Sequence, residues 1–141
     1  MRTGWMKACF VLSALYDLVL GAAFLLFHRQ VFAFFHEAPP GHPAYVQFPG
    51  LLLILFAALY LRIAADPVRH RDLIPFGAGL KAAYAGVVLT YAATSGIPAM
   101  WLPWAWADLG FLAAFMGAWW RLQRGVVAQG AASEENLTPS A

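Results

Sequence analysis

Four stretches of the chain, residues 8–27, 44–65, 73–94 and 99–120, are apolar over about the 20 residues that a helix needs to cross a hydrocarbon core. Lipid offers the backbone no hydrogen-bond partners, so such segments satisfy their own N–H and C=O groups as helices. The sequence therefore predicts an all-α fold, an integral membrane four-helix bundle. Composition points the same way: 62% of residues are hydrophobic, 16% aromatic and 11% charged, far from the balance of a soluble domain. The first stretch imitates a secretory leader, with Arg2 and Lys7 ahead of it and Gly21-Ala22-Ala23 resembling a cleavage site. Asp17 interrupts it, however, and it runs on through Phe24, Leu25, Leu26 and Phe27, which suits a span better than a processed leader.

The links between the stretches carry helix-breaking residues: Pro39, Pro40, Gly41 and Pro43 after the first, Asp66-Pro67 after the second, and Ser95-Gly96-Ile97-Pro98 after the third. Arg2, Lys7, Arg62, Arg69, Arg71, Arg121 and Arg124 fall on one side of such a bundle, and Arg29 on the other. Loops rich in Lys and Arg stay on the cytoplasmic side, so both termini are expected there. Trp101, Trp104 and Trp106 at one end of the fourth stretch, and Trp119 and Trp120 at the other, read as interfacial aromatic belts. Residues 124–141 turn to Gly, Ala, Ser, Glu and Pro and are expected to form a disordered cytoplasmic tail after a transmembrane domain of residues 1–123.

The net charge of +2 is small and its basic residues are scattered over several links, which excludes a nucleic-acid surface. The single Cys9 has no partner for an intramolecular disulfide, and it reads as a small apolar residue within a span.

Three ionisable residues, Asp17, Lys81 and Asp108, stand inside the apolar stretches. A charge near the middle of a spanning helix costs at least ~2.5–3.5 kcal/mol on insertion scales, so such residues face the bundle interior and find partners. Each lies on a helical stripe with small and aromatic residues. The first stripe is Ser13, Asp17, Gly21, Phe24 and His28; the second is Gly77, Lys81, Tyr84, Val88 and Tyr91; the third is Trp101, Ala105, Asp108, Leu112, Phe115 and Trp119. At about 1.5 Å of rise per residue, their depths from the basic side are roughly 14, 12 and 18 Å, so Lys81 can reach both carboxylates if the stripes face each other. Two carboxylates and one ammonium leave one excess negative charge, and a retained proton would make the three a single titrating unit. Such a set either fixes helix register or serves a ligand site or proton pathway.

Aromatic side chains at similar depth, Tyr16, Phe24, Tyr84, Tyr91, Trp104 and Phe115, are the candidate lining of a ligand site. Gln47 and Tyr60 add hydrogen-bonding capacity. His28, His36 and His42, with Glu37, share the first link, but their spacings match no tight metal motif, no Cys joins them, and His70 lies on the opposite side. They are weak metal candidates only. No catalytic residue, nucleophile elbow, P-loop or dinucleotide fingerprint stands out, and the sequence names no cofactor. A short similarity links Asp17-Leu18 and Ala22-Ala23-Phe24 to Asp108-Leu109 and Ala113-Ala114-Phe115. It joins the first and fourth stretches, whereas duplication of a two-span unit would join the first and third.

The runs Tyr16-Asp17-Leu18-Val19-Leu20-Gly21, Asp66-Pro67-Val68-Arg69-His70-Arg71-Asp72-Leu73-Ile74-Pro75 and Trp104-Ala105-Trp106-Ala107-Asp108-Leu109 resemble those of small bacterial four-span membrane proteins. The architecture is similar to that of DoxX-like proteins and loosely similar to the EXPERA group of sterol isomerases and ligand-binding proteins, whose acidic positions are not reproduced here. The resemblance implies a bacterial inner-membrane bundle and transfers no catalytic residue. The expected function is non-enzymatic: binding of a small apolar ligand, or service as an accessory subunit of a larger membrane complex or homo-oligomer, in contact with membrane lipid. A proton-linked transporter or channel is the alternative, and a lipid or sterol isomerase using an Asp is a third reading.

Overall fold

The structure is a computed structural model that describes residues 3–135, with side chains described as far as residue 125; Arg2 and residues 136–141 lie outside the described residues. All regular structure among the described residues is helical. The elements are α1 (Gly4–Phe34), α2 (Ala44–Ala65), α3 (Ile74–Ala93) and α4 (Leu102–Glu135), with single 3-10 turns at Arg71–Leu73 and Ala99–Trp101 leading into α3 and α4. Each helix is long and apolar enough to cross a membrane. Much of the apolar surface faces outward, as expected of a bundle solvated by hydrocarbon: Leu12, Val19, Leu26, Leu55, Val87 and Trp106 are all exposed.

Helix limits differ from apolar limits at two places. α1 carries His28 and Arg29 as helical residues and ends at Phe34, beyond the apolar stretch that stops at residue 27, with Phe27 itself departing from helical geometry (φ −125°, ψ 23°). α4 continues as helix through residues 124–135, where a disordered tail is expected from composition. Arg, Ala, Gln and Glu in that segment are good helix formers, and a helix already nucleated by a packed span propagates into them at little cost. Polarity marks where a helix leaves the apolar layer. It does not mark where the helix ends.

The bundle is two hairpins. α1 runs close to α2, and α3 close to α4, while the hairpins face one another chiefly through side chains. Gly21 and Gly50 set the first close approach: a Cβ built on Gly21 would lie 2.6 Å from the Gly50 carbonyl oxygen, and one on Gly50 3.0 Å from the Gly21 carbonyl oxygen. Close backbone approach is how membrane helices gain van der Waals contact without a hydrophobic drive. Because the obstacle is backbone on both sides, Gly21→Ala is expected to destabilise by about 1–3 kcal/mol. Unfolding in graded SDS mixtures would read the loss, and an unchanged midpoint would refute this packing.

Side chains from all four helices close the half of the bundle nearest the α2–α3 link. Met6, Phe10 and Ala14 from α1 meet Ala57, Tyr60 and Ile63 from α2, Ile74 and Ala78 from α3, and Phe115, Ala118 and Leu122 from α4. Phe10 stacks on Phe115 at 4.5 Å between ring centroids, and Tyr60 meets Phe115 edge-on at 5.1 Å. At the same end, Lys7 Nζ donates to the Ala65 carbonyl at 3.2 Å, satisfying a group left open at the end of α2. In the other half the hairpins part around a cavity and meet again where Phe24 and Phe32 of α1 and Val46 of α2 pack with Met100 and Trp101.

Candidate functional site

Asp17, Lys81 and Asp108 meet between the hairpins, where the closed half gives way to the open one. Lys81 Nζ lies 2.5 Å from Asp17 Oδ1, to which it donates a hydrogen bond, and 3.0 Å from Asp108 Oδ1. The second contact is an ion pair without hydrogen-bond alignment, so Asp108 Oδ1 is buried with no hydrogen-bond partner; Asp17 Oδ2, the oxygen turned from Lys81's hydrogen bond, is likewise unpartnered. Asp17 and Lys81 are fully buried and Asp108 nearly so. The ammonium also stands over three rings, 4.9 Å from the centroid of Tyr16, 5.4 Å from Phe111 and 5.5 Å from Tyr60. These negative ring faces add to the carboxylates in holding a buried cation.

Local sequence explains the convergence. Asp17 occupies the face of α1 that also buries Ser13, Gly21 and Phe24. Gly77 precedes Lys81 by one turn and makes room for the Tyr60 ring, whose hydroxyl donates to the Gly77 carbonyl at 3.1 Å. On α4, Ala105 and Phe115 are buried with Asp108.

Above the three residues the hairpins leave a partly open cavity of about 570 Å³, walled by Leu20, Phe24 and Phe32 of α1, Val46, Leu52 and Leu53 of α2, Leu80, Val87 and Val88 of α3, and bordered by Pro40, Ile97, Pro98 and Trp101. The polar residues of its lining are Asp108, Tyr16 and Tyr84, together with the exposed Tyr45 of α2. The Tyr84 hydroxyl donates to the Trp101 carbonyl at 3.2 Å, whereas the Tyr16 hydroxyl is buried with no partner. Phe24 and Trp101 stack at 5.6 Å, and Phe32 meets Trp101 edge-on at 6.1 Å. This is a small-molecule format: hundreds of Å³ of apolar volume with a few polar groups at one place.

Of the residues read as ligand lining from sequence, Tyr16, Phe24 and Tyr84 line the cavity. Phe115 does not. It is a fully buried member of the closed core, two turns along α4 from Asp108 and on the far side of the charged set. Tyr91 is 53% exposed near the end of α3, away from the cavity. Trp104 packs beside Tyr16 at 6.1 Å between centroids, with its indole nitrogen buried and unpartnered, outside the cavity wall. Sequence reasoning missed Leu20, Phe32 and Trp101 as lining. Trp101 shares the Asp108 stripe but reads as a belt residue, and Phe32 lies past the apolar stretch, on a turn of α1 that hydropathy does not reveal.

The histidines do not assemble. Among the described residues no group of three His, Cys, Asp or Glu is placed to hold a metal ion. His42 Nδ1 accepts the Ala44 N–H at 3.2 Å at the start of α2, His36 sits at a positive φ of 57° in the turn after α1, and the His28 Nδ1 is buried without a partner.

No family model, curated protein or solved structure matches the chain. Its class rests on the fold and site themselves: an all-α bundle of four helices long and apolar enough to cross a membrane, with a buried Asp–Lys–Asp set beneath an apolar cavity.

Proposed function

We propose that the chain is a multi-pass protein of the bacterial inner membrane, both termini cytoplasmic, that binds one small apolar molecule between its two hairpins. The cavity carries this reading, because packed proteins leave few empty spaces of this size. The four apolar helices support insertion. The bias of Arg and Lys toward the links at the closed end supports the orientation. The closed aromatic and aliphatic core below the charged set favours binding over conduction, since a proton or solute path would have to pass Phe10, Tyr60 and Phe115. An accessory role in a larger complex is compatible with the same cavity, which a partner's lipid or pigment would then occupy. Enzymatic use of Asp108 has less support, because its nearest charged neighbour is already the structural partner Lys81.

Val87 tests the reading without disturbing the core, as it lines the cavity yet is 57% exposed. Val87→Trp is expected to fill the entrance and leave the fold intact. Protein purified into nanodiscs from native membrane should carry a small molecule, identified by native mass spectrometry, that is depleted at least tenfold in Val87→Trp. Equal occupancy in both proteins would overturn the assignment of the cavity as the binding site.

A further inference from the structure

Charge decides which polar head the floor of the cavity takes. The buried set holds two carboxylates and one ammonium, so with every group ionised it carries one excess negative charge. The groups facing it from all four helices bring no second positive charge. They are Ser13 and Tyr16 of α1, Tyr60 of α2 with its hydroxyl committed to the Gly77 carbonyl, Tyr84 of α3 committed to the Trp101 carbonyl, and Phe111 of α4. Among the described residues, the ion pairs of the set are the two made by Lys81. An uncompensated charge in a dry interior is strongly disfavoured, so the set is neutral only with one further positive charge.

Asp108 is the member of the set that lines the cavity. Lys81 holds its Oδ1 at 3.0 Å, and among the described residues no ion pair or hydrogen bond is made by its Oδ2. Beside it the Tyr16 hydroxyl is also unspent, and the Tyr16 and Tyr84 rings border the same wall. Aromatic faces and a carboxylate together recognise an ammonium head, and the apolar walls take its hydrocarbon body. We propose that the cavity binds a lipophilic monocation, its ammonium seated on Asp108, in exchange for a proton held by the Asp17–Lys81–Asp108 set when the cavity is empty. The exchange balances: one cation enters, one proton leaves, and the set stays neutral in both states. A neutral molecule of the same shape fills the volume without displacing the proton, and an anionic amphiphile meets a floor with no free positive charge. This inference rests on the reading of the cavity as a ligand site and specifies the ligand's head group.

The test uses the full chain in nanodiscs with two rigid probes of one shape, 1-adamantylamine, cationic at neutral pH, and neutral 1-adamantanol, with Val87→Trp nanodiscs as the reference for partition into lipid. The amine is expected to bind the wild type at least tenfold more tightly than the alcohol. Over the range where the set holds its proton, amine affinity should fall about tenfold per unit drop in pH, while alcohol binding stays flat. In weakly buffered medium, one proton should be released per amine bound, a measurement on the wild type that needs no variant to fold. In Asp108→Asn, where the Asp17–Lys81 pair is retained, the amine should lose its advantage and the alcohol should still bind. Equal affinity for both probes, absence of proton release, or an amine advantage that survives Asp108→Asn would overturn the cation assignment while leaving the cavity a binding site. Binding of neither probe above the Val87→Trp reference would overturn both readings.

Discussion

Replacing Lys81 by Met should be among the most damaging single changes in the bundle, with an expected loss of about 3–5 kcal/mol. Removal of one partner from a buried ionic set leaves the others uncompensated. Here it strands two carboxylates, Asp17 fully buried and Asp108 nearly so, whose ion pairs among the described residues are the two made by Lys81. The Met side chain fills nearly the volume of the lysine stem, so the loss reports charge and not a cavity. Asp17→Asn and Asp108→Asn should each cost much less, because Lys81 keeps one carboxylate in either variant, at 3.0 Å or 2.5 Å respectively. The triple variant Asp17→Asn, Lys81→Met, Asp108→Asn should regain most of the stability, since a neutral polar set avoids the desolvation of three charges. Graded SDS unfolding followed by circular dichroism reads all four proteins. Additive losses in the triple variant would show that the three residues do not act as one unit.

The triple variant also separates the two roles open to the set. If its purpose is only to fix how the hairpins face each other, the neutral protein folds and binds as before. If it holds the exchangeable proton of the cavity, the neutral protein folds but no longer favours the amine over the alcohol.

How much of this was legible in the sequence depends on which physical signal each feature leaves. The four helices are plain because lipid imposes an apolar length, and α2 coincides with its apolar stretch at 44–65. The meeting of Asp17, Lys81 and Asp108 is readable for the same reason: each is costly where it stands, and similar depth plus stripe position leaves few ways to satisfy all three. The ends of α1 and α4 are not readable from hydropathy, because helix propensity persists in residues that no longer face hydrocarbon. The cavity is hidden for a different reason. In a membrane bundle, Leu20, Leu52 or Val87 facing a void has the same composition as a residue facing lipid, so sequence cannot tell an inner apolar wall from an outer one. Phe115 shows the limit of the stripe argument: it shares a face with Asp108, yet two turns, about 11 Å, carry it past the charged set into the closed core.

Tyr60 is the side chain on which that closed core depends most, and Tyr60→Ala is expected to cost about 3–5 kcal/mol. It heads the fully buried side chains by volume, meets Phe10, Phe56 and Phe115 as ring neighbours, faces the Lys81 ammonium, and donates to the Gly77 carbonyl. That hydrogen bond joins α2 to α3, which otherwise make few close backbone contacts across the two hairpins. Tyr60→Phe keeps the ring and loses only the hydroxyl, at about 1 kcal/mol, with the Gly77 carbonyl still served by its own helix. The decisive comparison is with Gly77, where an added Cβ would sit 2.5 Å from Tyr60 Cε1. In the wild type Gly77→Ala must push the ring out of its place and should cost about 1–3 kcal/mol. In the Tyr60→Ala background the obstacle is gone, and the same substitution should cost nothing or stabilise by partly refilling the void. A double-mutant cycle read by SDS unfolding therefore should show strong coupling between positions 60 and 77. Simple additivity would mean that the ring does not rest on Gly77.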